Sequence, residues 1–465
     1  MQTNFRCDTI LPDWVRRWQQ EARVSKTRHN DKLNEPGPMR RVLRNFGYLF
    51  RGRAIAAVLS LGATTLMARA LGPAEFGLVA MIQAYALLLR GLLNFQPFEA
   101  VVRYGVPAHD AGDTRALRRL IKVCRRVDRR ASLVATALAI IAAPFIGPSL
   151  GMDRDHVMLL AAYSLVLLTT GNGTANGILR LYDEFDALGR QMAIGPVIRF
   201  CGVTVAWWYD STLAVFVAIL AVAYAAENIY LSWRGRHEYR KRIGRPQEGE
   251  TVRDAGLSEF PGLRHFLWVT YWQSNIDLAY KYASIMLVGY LLGPAEAGLL
   301  RLVRELSSVL SKPSALIRQV IFPDLTRSWN QGSDAFKQVT YRTALVSGGF
   351  GLLFVLVSYV FGDALLNTLL GKDFAVAAPI LTLMLLAASF DLATAPLRAA
   401  AYATGNAGKV LLVNAVTTLI YIVLFVLLTL WIGLIGAGFA ACVAATLPPL
   451  FMLLLIRRSS RGKKD

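Results

Sequence analysis

Apolar runs of 19 to 28 residues alternate with polar breaks along nearly the whole chain. Crossing a bilayer as a helix takes about 20 apolar residues, so each run is long enough for one span. The pattern predicts twelve spans, near 50–71, 76–98, 132–150, 156–178, 191–209, 211–233, 264–291, 296–320, 342–367, 375–399, 407–430 and 433–456. The breaks alternate in size. Those near 72–75, 151–155, 210, 292–295, 368–374 and 431–432 are short, whereas 99–131, 234–263 and 321–341 are longer and read as polar loops. The expectation is an all-α integral membrane protein with no room for a separate soluble catalytic domain.

Composition agrees with the pattern. Hydrophobic residues make up 54% of the 465, charged residues 18%, and mean hydropathy is +0.40. A soluble domain is less apolar and carries about 25% charged residues. The net charge of +20 would point to nucleic acid in a soluble chain, but here it follows the span pattern. Forty-one Lys and Arg fall on one side of the predicted membrane, two (Arg154 and Lys372) on the other, and eight within spans. The positive-inside rule then places both termini in the cytoplasm. The run at 115–130 and the tail at 457–465 become anchors against anionic lipid, with no nucleic-acid partner needed.

Domain boundaries follow: a basic cytoplasmic segment at 1–46, a six-span N-lobe at 47–233, a cytoplasmic linker at 234–263, a six-span C-lobe at 264–456 and a basic tail at 457–465. The first segment lacks the apolar core of a signal peptide. Met39, just ahead of the first span, is an expected natural start, which would make 1–38 dispensable. Cys7, Cys124, Cys201 and Cys442 make no close pair, so neither a disulfide framework nor a metal motif is expected.

The halves are related by a repeat. Leu71-Gly72-Pro73-Ala74-Glu75-Phe76-Gly77-Leu78 returns as Leu292-Gly293-Pro294-Ala295-Glu296-Ala297-Gly298-Leu299. Seven of eight positions match at an offset of 221; Gly151 with Gly371 and Tyr182 with Tyr402 continue at 220. Six spans separate the copies, so the repeat is parallel, the plan of a two-bundle transporter with a central cavity. Gly-Pro supplies a turn, and Pro starts the next helix.

Ionisable groups inside spans are costly and usually face a cavity or a partner. On span 8, Arg301, Arg304, Ser308 and Lys312 share one helical face over about 16 Å. Such a cationic stripe suits a multiply charged anion such as a diphosphate, because Arg can grip phosphate oxygens with two donors. The competing reading is that Glu305 neutralises one Arg while the others snorkel or pair. Span 7 carries Asn275, Asp277 and Lys281; either the last two neutralise each other at i, i+4, or Lys281 faces the cavity. Arg90, mid-span in the first half with no acid within a turn, is a further anion candidate. Arg69 and Arg318 read as interfacial anchors, and Arg199 with Glu227 as a structural pair. Asp277 and Asp391 are candidate ion-coupling groups, although Asp391 could equally make a packing hydrogen bond. Trp268, Tyr271 and Trp272 fit an interfacial aromatic belt or a sugar-stacking surface.

Catalytic motifs are missing. There is no nucleotide-binding loop, no HExxH and no GxSxG, and Asp183-Glu184 sits in a short loop without a nucleotide-binding domain. Neither an enzyme activity, a metal nor a cofactor is expected.

The segment LMARALGPAEFGLVAM resembles the start of polysaccharide-biosynthesis flippases of the Wzx type, in the multidrug/oligosaccharidyl-lipid/polysaccharide (MOP) exporter superfamily. AGLLRLVRELSSVLSKPSALIRQVIFPDL resembles the corresponding second-half segment of lipopolysaccharide and exopolysaccharide members, and the likeness covers about 39–460. It implies two six-helix lobes around a V-shaped cavity in the bacterial inner membrane. It also implies alternating-access transfer of undecaprenyl-diphosphate-linked oligosaccharide from the cytoplasmic to the periplasmic leaflet, for O-antigen or exopolysaccharide synthesis. A polysaccharide polymerase and co-polymerase would be partners, along with the membrane lipids. The family's cationic cavity role carries onto Arg90, Arg301, Arg304, Lys281 and Lys312. The chain lacks the extra pair of spans of some lipid II flippases, which argues against peptidoglycan-precursor export. The alternatives are a drug/cation antiporter of the same superfamily, which should line its cavity with acids, and a non-transporting scaffold of the assembly machinery.

Overall fold

The computed structural model describes residues 38–244, 260–308 and 333–461, with Leu310 and Leu325 besides. The proposed start at Met39 and the extension before it fall at or outside the edge of this range. Among the described residues every regular element is helical. In chain order they are α1 (Pro38–Leu92), α2 (Pro97–Asp110), α3 (Thr114–Ser149), α4 (Arg154–Ser164), a 3₁₀ turn (Leu165–Thr170), α5 (Gly173–Leu181), α6 (Phe185–Trp208) and α7 (Leu213–Arg242). The second half contributes α8 (Leu263–Leu292), α9 (294–308), α10 (Ser333–Leu370), the short α11 (Lys372–Ala375), α12 (Ala378–Ala403), α13 (Ala407–Ile432) and α14 (Leu434–Arg461).

The expected spans fall largely on helix, interrupted at 93–96 and at 171–172, with span 8 described through 294–308. Among the described residues, eight stretches are long and apolar enough to cross a membrane. The first of them, Ile55–Asp110, is 56 residues long and is broken at Gly72, where φ is 70°. Apolar side chains stand on the outside: Leu345 is 77% exposed and Trp431 83%. Against water such a surface would be an aggregation hazard. Against lipid it is the expected exterior.

The positive-φ breaks repeat between the halves. Gly72 answers Gly293, Gly151 answers Gly371, and Asp183 and Asp210 stand near the places where the second half has Gly405 and Gly433. The two copies of the octamer then pack on each other. A Cβ placed on Gly298 would lie 2.7 Å from the Pro73 carbonyl oxygen and 2.9 Å from the Gly77 nitrogen. One placed on Gly77 would overlap the Pro294 carbonyl. Both positions need glycine because backbone meets backbone there. The main core spans this crossing, joining Phe76, Val79 and Met81 to Val288, Ala297, Leu300 and Val303.

The segment at 99–131 is not an open loop. It is α2 and the first four to five turns of α3. Leu117, Leu120, Ile121 and Cys124 recur at i, i+3, i+4 and i+7 and are buried, which is the pattern of an amphipathic helix. They pack with Ala100, Val101, Ile178, Leu263 and Leu267. At 1.5 Å per residue the 36-residue α3 is about 54 Å long, well beyond a core of about 30 Å. The basic run at 115–130 is therefore an extension of span 3, apolar on one side and cationic on the other.

Span 4 is likewise discontinuous. Helix α4 gives way to the 3₁₀ turn, and α5 restarts at Gly173. The restart is capped from another helix: buried Asp128 of α3 accepts from the Thr174 backbone nitrogen at 2.6 Å and from Thr174 Oγ1 at 2.5 Å. Asn172 beside it donates to Asn228 Oδ1 at 2.6 Å. Broken backbone at this depth is tolerated only where protein groups satisfy it.

Candidate functional site

The in-span arginines are anchored on polar and aromatic side chains of neighbouring helices. Arg90 lies near the end of α1. Its Nη1 donates to Tyr224 Oη of α7 at 2.6 Å, and its guanidinium carbon stands 5.8 Å from the Tyr224 ring centroid. Arg90 also lines a small polar pocket with Asn94, Asp128, Ser132 and Thr170. One turn along α7, Glu227 accepts from Gln191 Nε2 of α6 at 2.5 Å and interacts electrostatically with Arg199 and Arg90. The expected Arg199–Glu227 partnership thus extends to a third charge.

Arg301 of α9 crosses to the other lobe. Its Nη2 donates to Gln83 Oε1 of α1, and its guanidinium carbon lies 5.8 Å from the Phe76 ring centroid. Gln83 in turn donates to Tyr163 Oη of α4 at 3.4 Å. Glu305, Arg199, Tyr163 and Tyr282 are the electrostatic neighbours of Arg301. Arg304 stays within its own lobe. It donates to Ser284 Oγ of α8 and, at 3.1 Å, to Tyr421 Oη of α13, with its guanidinium carbon 5.8 Å from the Phe425 ring centroid. Residues i and i+3 therefore share a helix face but reach different lobes.

Arg90, Arg301 and Arg304 are each bonded to uncharged oxygens, Arg301 across the lobes and the other two within their own; Tyr282 of α8 is an electrostatic neighbour of both Arg90 and Arg301. Asp277 and Lys281 lie on α8 with their side chains outside the described set, and Lys312 and Arg318 lie outside the described residues. Asp391 Oδ1 stands 3.6 Å from Arg398 Nη2 on the same helix. Glu184 accepts from Arg234 Nη2 at 3.1 Å, which gives that loop carboxylate a structural partner. Trp268 stacks on Tyr271, whose ring also stacks on Phe95 at 5.0 Å and whose hydroxyl donates to the Leu92 carbonyl at 2.6 Å. That aromatic cluster joins the start of α8 to the end of α1. Among the described residues no group of three or more His, Cys, Asp and Glu could hold a metal.

Gln83, Tyr163, Tyr224 and Tyr421 did not stand out in the sequence. They are uncharged and sit inside apolar runs, so hydropathy hides them. Their partners lie 80 to 218 positions away. The available signal was the presence of polar atoms within spans, which need partners in lipid.

The fold is shared with solved structures of MOP-superfamily proteins. An inward-facing multidrug resistance MATE family transporter superposes with a TM-score of 0.65 at 14% identity, over 89% of this chain and 99% of that one. The lipid II flippase MurJ in an inward closed conformation gives 0.64 at 15%, over 88% and 89%. A Pyrococcus furiosus MOP transporter, described by the reverse polarity of its binding pocket, gives 0.53 at 14%, over 90% and 96%. At such identities the likeness defines the fold. Membership of a family comes from sequence: residues 42–329 match the polysaccharide biosynthesis protein family, and the chain belongs to it. It is similar to the inner membrane protein YghQ of Escherichia coli K12, with 28% identity over 352 residues, 73% of this chain and 95% of that protein.

Proposed function

We propose that this multi-pass membrane protein is a flippase that moves an undecaprenyl-diphosphate-linked oligosaccharide from the cytoplasmic to the periplasmic leaflet. The carrying observation is the set of in-span guanidinium groups, Arg90, Arg301 and Arg304, held on tyrosine, glutamine and serine oxygens, with Arg301 reaching across the lobes. A guanidinium also carries several donors, so bonds to such oxygens leave it able to grip phosphate oxygens as well. Two or three of them in a low-dielectric setting favour a diphosphate strongly over a cationic drug. Membership of the polysaccharide biosynthesis family supports a sugar-bearing lipid as the source of that diphosphate. The head group would occupy the boundary while the polyprenyl tail stays in lipid, and rocking of the lobes would change its exposure. Lys281 and Lys312 extend the proposed cationic lining. Asp277 and Asp391 are the proposed coupling carboxylates. The distribution of Lys and Arg supports cytoplasmic termini, and a polymerase and co-polymerase are the proposed receivers of the product.

The test is reconstitution in proteoliposomes with a short undecaprenyl-diphosphate oligosaccharide, in which an added glycosidase reads sugar exposure. Protein-dependent exposure is expected. Its absence for folded protein across several head groups would refute the reading.

A further inference from the structure

We infer that Gln83 is a positioning residue that holds Arg301 across the lobes and gives it up to the anionic head group, so that ligand binding releases an interlobe bond. The inference deepens the flippase reading above and rests on it.

Three observations converge. First, the Arg301 seat is built by the opposite lobe. Phe76 and Gln83 are seven residues apart on α1, about two turns, and so present to the same side. Both are buried, Phe76 fully and Gln83 at 7% exposure. One supplies a ring under the guanidinium and the other a carbonyl oxygen. Second, the seat breaks the repeat. Phe76 is the one octamer position that differs, being Ala297 in the second copy. The offset of 221 sets Gln83 against Arg304 rather than another Gln. The halves are alike where backbone meets backbone and unlike where the cation is received. Third, the seat adjoins the crossing at which the lobes touch. The Gly77–Pro294 and Gly298–Pro73 contacts lie one residue and two turns from Phe76 and Gln83.

A neutral amide oxygen is a modest acceptor, and a phosphate oxygen is a stronger one for a guanidinium. A diphosphate that reaches Arg301 therefore displaces Gln83. Gln83 keeps its donor bond to Tyr163, while α9 loses its polar tie to α1. A carboxylate at position 83 would compete with the ligand. An apolar group would not compete, and it would leave the lobes untied.

The experiment uses full-length protein in lipid nanodiscs, with Gln83→Glu and Gln83→Leu compared to wild type. Undecaprenyl diphosphate is the probe. Its affinity is measured, and the interlobe distance is read by spin labels on Arg154→Cys and Lys372→Cys, both exposed, after the four native cysteines are replaced. Gln83→Glu is expected to bind at least tenfold more weakly and to keep a short, narrow distance with and without ligand. Gln83→Leu is expected to bind as tightly as wild type or more so, and to show a shifted or broadened distance before ligand is added. A merely structural role would weaken both variants alike. Wild-type affinity and distance in both variants would overturn the inference. If wild type fails to bind the probe, the anion reading fails; the ligand-free distances still show whether Gln83 ties the lobes.

Discussion

Gly77 and Gly298, the same position in the two copies of one octamer, pack against each other's helix starts with no space for a side chain. The Gly-Pro motif had a turn as its evident job. Its second glycine has another, which is to let the pseudo-equivalent helices touch where the lobes cross. Gly77→Ala must push against the backbone oxygen of Pro294, and Gly298→Ala against Pro73 and Gly77. Overpacking costs about 1–3 kcal/mol when neighbours can yield, and backbone yields poorly. Both variants should therefore melt at lower temperature in detergent and transport slowly, Gly77→Ala more so. Wild-type melting of Gly77→Ala would show that the crossing is not tight.

Tyr224 holds Arg90 by its hydroxyl and by its ring. Tyr224→Phe keeps the ring and removes one hydrogen bond, worth about 1 kcal/mol. Undecaprenyl-diphosphate affinity should fall about fivefold. Arg90→Gln should fall further, tenfold or more, because a charge is lost. Equal affinities for the two variants and wild type would remove Arg90 from the site.

Asp128 caps the restart of span 4 from a different helix. Asp128→Asn places an amide donor against the Thr174 donors, and leaving a buried polar group unsatisfied costs about 1–3 kcal/mol. Thr174→Val should lose part of the same energy, so the double variant should cost less than the two singles added. Thermal melts of the four proteins measure this. Strict additivity would mean the contact contributes nothing.

Asp153 begins α4 and accepts from the His156 backbone nitrogen at 3.0 Å, and that bond holds its carboxyl below the ordinary carboxylate range. A lowered folded-state pKa gives stability that is present above the unfolded value and lost as pH falls through the folded one. Asp153→Ala should therefore lower the melting temperature at pH 7, and the difference from wild type should shrink below about pH 4. A difference independent of pH would assign the effect to helix propensity instead.

Much of this was legible in the sequence, for identifiable reasons. The all-helical membrane fold follows from the length of the apolar runs, and the repeat follows from an octamer whose glycine and proline carry backbone geometry. Arg90, Arg301 and Arg304 announce themselves as charges among apolar neighbours. The helical extension at 114–131 was obscured by nine Lys and Arg between 101 and 131, which overshadowed the buried face of Leu117, Leu120, Ile121 and Cys124. The partners of the arginines were not legible, because a Gln or Tyr inside a span shows neither charge nor period. That Arg301 would turn to one lobe and Arg304 to the other depends on what α1 and α13 present, which spacing on one helix does not contain.

The most direct measurement is the initial rate of sugar exposure in proteoliposomes for wild type and for Arg301→Gln/Arg304→Gln. Each lost charge-assisted contact is worth about 1.5–3 kcal/mol, so the double variant should flip at least a hundredfold more slowly while remaining folded. A double variant that flips at the wild-type rate would contradict the claim that these arginines carry the head group.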